Sequence, residues 1–148
     1  MKKIPSIKTV MTPFPYSIKP GEPVTQALEL MADHNIHHLP VMDDGDLIGM
    51  VSSRDIRLIL DSGAQGHAKE ALQVRHIMTE EVYTVDLSER LDRVLRHMAE
   101  QHMRSVVVTR KGKLAGIFTE VDACGAFAEF LREQARRAGG GAGGGTAA

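Results

Sequence analysis

The sequence predicts an α/β (α+β) chain: two β-α-β-β-α repeats packed through their sheets with pseudo-twofold symmetry. A shift of 67 residues aligns 7–56 with 74–123 without a gap and yields twelve identical pairs in fifty columns, where average residue usage gives about three. Within each copy, an apolar stripe at helical spacing precedes two apolar runs joined by a turn containing glycine. The phrase "GMVSSRDI" (49–56) also returns as "GIFTEVDA" (116–123). Half of a 148-residue chain buries too little surface to be stable alone, so the two copies are expected to share a core.

Taken in order, a short strand is expected at 16–18 and again at 82–85. Val24, Ala27, Leu28 and Met31 fall at i, i+3, i+4 and i+7, one face of a helix, and Leu91, Val94, Leu95 and Met98 repeat the stripe. Ser88 is a natural N-cap for the second of these helices; Gly21 and Pro23 open the first. The runs "HLPVM" and "SVVVT" then lead through "DDGD" and "RKGK", with Gly45 and Gly112 at equivalent places, into "LIGMV" and "LAGIF". Strand, short glycine turn, strand is a hairpin signature. A last helix is expected from about Glu120 into "FLREQARRA", with Glu120 and Asp122 at its start and Arg132, Arg136 and Arg137 at its end, both complementing the helix dipole. The units are then a first repeat (7–62), a linker with a short helix (63–73), a second repeat (74–138) and a disordered Gly-rich tail (139–148).

Composition narrows the function. Eighteen Lys and Arg against nineteen Asp and Glu, with a pI near 6.7, offer no basic field for nucleic acid. No apolar stretch suits a signal peptide or a membrane span. Cys124 is the only cysteine, which excludes an intrachain disulfide and fits a cytoplasmic protein; packing inside the last helix is its expected role. His34, His37 and His38 lie close in sequence, but no cysteine or suitably spaced acid completes a metal set, so a solvated helix end is expected. No nucleophile–base set, P-loop or acid pair marks an enzyme.

The doubled phrase has two readings. Ser52 and Thr119 stand where a strand gives way to a helix, and Asp55 and Asp122 follow three residues later, which makes a capping box. A helix N-terminus also holds phosphate, an aspartate accepts hydrogen bonds from ribose hydroxyls, and a glycine lets a flat ring approach the backbone. The repeat pairs His37 with Arg104, a basic position suited to phosphate.

With "VMT" and "IMT" opening the copies, and with "HHLPVMDDGDLIGMVSSRDI" and "RSVVVTRKGKLAGIFTEVDA", the sequence resembles a tandem pair of CBS (cystathionine-β-synthase-type) domains, a Bateman module, over roughly 7–130. The resemblance implies an adenosine ligand (AMP, ADP, ATP or S-adenosylmethionine) in clefts between the copies. Ser52 with Asp55 and Thr119 with Asp122 would hold ribose and phosphate. Tyr16 to Ile18 with Leu39 to Val41, and Tyr83 to Val85 with Val106 to Val108, would wall the base. Pro40 in the first copy stands opposite Val107 in the second, so the two pockets are expected to differ, and Arg104 favours the second. It further implies a homodimer packed through helices and a regulatory role, with an effector protein acting in trans. A scaffold with vestigial clefts, or a variant responding to S-adenosylmethionine or a metal, stays open as an alternative.

Overall fold

The computed structural model describes residues 3–62 and 72–141. Its elements run β1 (Thr12–Pro13), α1 (Val24–His34), β2 (His38–Asp43), β3 (Asp46–Ser52), α2 (Ser53–Asp61), β4 (Thr84–Asp86), α3 (Leu91–Gln101), β5 (Ser105–Arg110), β6 (Lys113–Thr119) and α4 (Glu120–Gly141). Single 3₁₀ turns at Ile7–Thr9 and Val74–His76 open the two copies. Mixed α/β repeats are thus present in the order the sequence predicts.

Both long internal helices bury the expected stripe, through Val24, Ala27 and Met31 in α1 and Leu91, Val94 and Met98 in α3. Leu95 departs from it and is exposed. Asn35 and His102 end these helices in the left-handed conformation, at φ 52° and 55°. Each hairpin turns on two left-handed residues, Asp44–Gly45 (φ 49° and 85°) and Lys111–Gly112 (φ 52° and 77°). Paired positive φ angles define the type I′ turn, whose twist matches that of the flanking strands.

The short strand expected at 82–85 is found at Thr84–Asp86, and the one expected at 16–18 is reduced to its last residue. Thr84–Asp86 pairs in parallel with β5, but its counterpart in the first copy is a single bridge from Ile18 to Val41. The segment before it, Thr12–Pro13, is instead a strand, and it pairs with Ile117 and Gly116 of the other copy. In the equivalent place Thr79 bridges Met50. Each copy therefore gives its opening segment to the sheet of the other.

The exchange extends to the helices and the cores. Leu91 N–H donates to the Pro5 carbonyl (2.9 Å) and Ile7 N–H to that of Glu89 (2.8 Å). Val24 N–H donates to Leu72 and Val74 N–H to Glu22, each at 2.9 Å, which repeats the arrangement at the 67-residue offset. Borrowed carbonyls so take up N–H groups that a helix start leaves without partners. Ser88 is consequently not the N-cap of α3, a place held by Arg90; its N–H and hydroxyl donate to the Asp86 carboxylate. Ile7 lies in the core of the second copy, with Val94, Val106 and Phe118, while Val74 and Ile77 lie in the core of the first. A third cluster, Met50, Val107 and Ile117, joins the two sheets.

Cys124 is exposed on α4 rather than packed. That helix continues to Gly141, into the stretch expected to be a disordered tail. The remainder of the tail (142–148), and most of the linker with its expected short helix, lie outside the described residues. No described helix is long and apolar enough to cross a membrane.

Candidate functional site

Strands β3 and β6 end at Ser52 and Thr119, and the helices that follow them begin at Ser53 and Glu120. Both starts open on one cavity of about 1220 Å³, lined from both copies. That exceeds the usual range for a small-molecule pocket, roughly 300–1,000 Å³. Ser52, Asp55, Thr119 and Asp122 all line it, as do His37, Arg104, Tyr16 and Tyr83. The sequence thus brings these eight residues to one crevice.

The other six candidates are placed differently. Ile18, Leu39, Val41, Val85, Val106 and Val108 are buried in the two repeat cores and do not line the cavity. Successive strand residues face opposite sides, and the sides of β2 and β5 that carry these residues pack on the helices. The crevice wall is formed instead by Ile36, Met50, Val82, Met103 and Ile117. Strand alternation could have separated the two sets.

The glycines of the doubled phrase also serve a different purpose. A Cβ on Gly49 would lie 2.8 Å from Met78 Sδ and 2.9 Å from the Thr79 carbonyl oxygen. A Cβ on Gly116 would collide with Met11 Sδ and lie 2.9 Å from the Thr12 carbonyl oxygen. Each glycine admits the Met-Thr segment of the other copy, so the expected approach of a flat ring is replaced by a chain crossing. The two recurring phrases are packing partners.

The two hydroxyl-x-x-Asp turns differ in one respect. In the first, Asp55 N–H donates to Ser52 Oγ (3.1 Å), a simple N-cap. Among the described residues no hydrogen bond ends on the Asp55 carboxylate. In the second, Asp122 N–H donates to Thr119 Oγ1 (3.4 Å) while Thr119 N–H donates to Asp122 Oδ2 (2.9 Å), a complete capping box. Thr12 Oγ1 donates to the other oxygen, Asp122 Oδ1, at 3.4 Å.

Around these turns, His37 Nδ1 lies 3.1 Å from Ser53 Oγ, the buried hydroxyl at the start of α2. Burial lowers the pKa of neighbouring His38, as do His37 and Arg104, while Glu120 and Asp55 oppose the shift. Tyr16 stacks on His34 with centroids 3.8 Å apart, and Tyr83 leans on His97 at 4.1 Å. Burial raises the Tyr83 pKa, with Glu89 adding to the effect. Arg54 and Arg104 bring positive charge to the lining, against Asp55, Glu81, Glu120 and Asp122. Among the described residues no cluster of His, Cys, Asp or Glu is arranged to hold a metal.

The family model for the CBS domain matches residues 7–62 and again 74–129. CBS domain-containing protein YhcV of Bacillus subtilis (strain 168) is 30% identical over 112 residues, covering 76% of this chain and 78% of that protein. The CBS domain pair of protein MJ0100, solved in complex with 5′-methylthioadenosine and S-adenosyl-L-methionine, is 28% identical with a TM-score of 0.76, covering 86% of this chain and 98% of that one. CBSX2 in complex with AMP is 27% identical with a TM-score of 0.70, at the same coverage.

Proposed function

Because the chain belongs to the CBS domain family and carries the domain twice in tandem, we propose that it is a regulatory module that binds an adenosine nucleotide in the crevice between its repeats. One observation carries the reading: both hydroxyl-x-x-Asp turns, each at the start of a helix, open on the same cavity beside His37 and Arg104. A helix start supplies N–H groups to a phosphate, and an aspartate takes the ribose hydroxyls. Similar domain pairs solved with AMP and with S-adenosyl-L-methionine support this ligand class. Four carboxylates against two guanidinium groups favour a ligand of low negative charge, AMP ahead of ATP. Binding shifts a conformational equilibrium by the difference in its affinity for the two states, and an effector in trans reads the result.

The reading includes a homodimer. Phe127, Phe130 and Leu131 are exposed on α4, and the two phenylalanine rings stack 6.3 Å apart. A second copy covers this strip, and Phe127→Asp with Phe130→Asp should convert a dimer to a monomer in sedimentation. For the ligand, thermal melts with AMP, ADP, ATP, S-adenosylmethionine and 5′-methylthioadenosine are the test. A nucleotide at one hundred times its Kd stabilises by about 2.7 kcal/mol, so AMP should raise the melting temperature and Asp55→Ala should diminish the rise. A transition that none of the five moves rejects the sensor in favour of a scaffold.

A further inference from the structure

We infer that Phe14 is a specificity-determining lid, its ring closing over the base of a nucleotide whose sugar is held at Thr119 and Asp122; this rests on the reading above. Phe14 is 91% exposed, whereas Phe118 is fully buried. It nevertheless lines the crevice, which puts this residue at the mouth. Its backbone is held at φ 49°, a conformation that is an outlier for a bulky residue. Pro15 follows and disfavours it further, since a residue before proline prefers extended backbone. The conformation is held in place by Phe14 N–H donating to the Ala115 carbonyl (3.1 Å). Strain of this kind collects at ligand clamps, where the surrounding structure fixes a side chain in advance.

Position identifies what the ring would cover. Thr12, two residues earlier, donates to Asp122. At about 3.3 Å per residue the backbone of Phe14 lies within roughly 7 Å of that of Thr12, close enough for its ring to reach a base whose ribose occupies the carboxylate. Tyr16, on the same lip, already stacks on His34, which leaves Phe14 as the aromatic ring here without a stacking partner among the described residues. The repeat places Glu81 at the equivalent position, so the other end of the crevice has no such lid. A flat apolar face at one mouth selects a nucleobase at that end.

The chain contains no tryptophan, so Phe14→Trp makes indole emission report this position alone. AMP and 5′-methylthioadenosine should quench it, and ribose 5-phosphate should not. Phe14→Ala should weaken AMP about tenfold by calorimetry, the low end of what stacking one base on an aromatic ring contributes. Its melting temperature without ligand should stay at or above the wild-type value, because the lost ring is exposed. If AMP raises the wild-type melt but leaves the emission constant, and Phe14→Ala binds AMP normally, the lid is rejected. A change of oligomeric state in Phe14→Ala with AMP affinity intact also rejects it, in favour of a subunit contact. A wild-type melt that no nucleotide moves overturns the sensor reading itself, and the lid with it.

Discussion

Replacing Gly49 by alanine sets a methyl group against the segment that the second copy lends to the first. The new Cβ would lie 2.8 Å from Met78 Sδ, 3.1 Å from Met78 Cγ and 2.9 Å from the Thr79 carbonyl oxygen. The methionine side chain can swing aside. The carbonyl cannot, because Met50 N–H donates to it (2.9 Å) and Thr79 N–H donates back to the Met50 carbonyl (2.8 Å). Relief therefore demands that the crossing open by several tenths of an ångström, which weakens both bonds. Overpacking costs about 1–3 kcal/mol, and the two weakened bonds together add about 1 kcal/mol, for a total of about 2–4 kcal/mol. In a chain of this size 1 kcal/mol corresponds to about 3 °C, so the melting temperature should fall by roughly 6–12 °C by circular dichroism without ligand. Gly125→Ala is the control: nothing lies within 4 Å of its Cβ, and in α4 it should stabilise by about 0.5–1 kcal/mol. A Gly49→Ala protein that melts with the wild type and loses only nucleotide binding would refute the crossing as the reason for the glycine.

Asp122→Ala should lower stability by about 1 kcal/mol in urea, since it removes the acceptor for Thr119 N–H, whereas Asp55→Ala should change it by less than about 0.5 kcal/mol. Burial lowers the folded-state pKa of His38 below that of the unfolded chain, so its contribution is present above the unfolded pKa and is lost as pH falls through the folded one. Chemical denaturation between pH 7 and 5 should show a shallower loss of stability for His38→Gln than for the wild type. Lys111 sits left-handed (φ 52°) beside Gly112; Lys111→Asn should stabilise the hairpin by about 0.5–1 kcal/mol in thermal melts, because asparagine tolerates that conformation.

The parts of the fold legible in the sequence are those whose cause is local. The stripes of α1 and α3, the Asp44–Gly45 and Lys111–Gly112 turns and the Ser52 cap each follow from residues a few positions apart. Exchange of the opening segments has no local signature. Ile7 and Val74 look alike in sequence, and nothing near either says that it packs in the opposite copy. The crevice was half legible for a related reason. Both faces of β2 and β5 are apolar, because one side meets helices and the other meets the facing sheet. Hydrophobicity alone could not assign Leu39 and Val106 to the core, or show that the wall would come from Met50 and Ile117. Ser88 failed as a cap because Pro5, distant in sequence, supplies the carbonyl that Leu91 uses.

The same crossing gives the two ends of the crevice different couplings. Asp122 is held by its own capping box and by Thr12, which belongs to β1 of the other copy. Asp55 has no such tie among the described residues; Thr79 reaches the first copy through backbone bonds alone. A ribose that takes both oxygens of Asp122 therefore competes with the Thr12 hydroxyl for Oδ1, and through it with the strand that carries it, while a ribose at Asp55 leaves the crossing intact. Thr12→Val frees the carboxylate without changing the shape of the side chain. The lost bond is long and exposed, at the weak end of about 0.5–1.5 kcal/mol, so AMP should bind the second end about threefold more tightly. Calorimetry on Thr12→Val in an Asp55→Ala background isolates that end. Affinity that is unchanged or weaker there would show that Thr12 does not compete with the ligand, and would remove the physical link between occupancy at Asp122 and the position of the N-terminal strand.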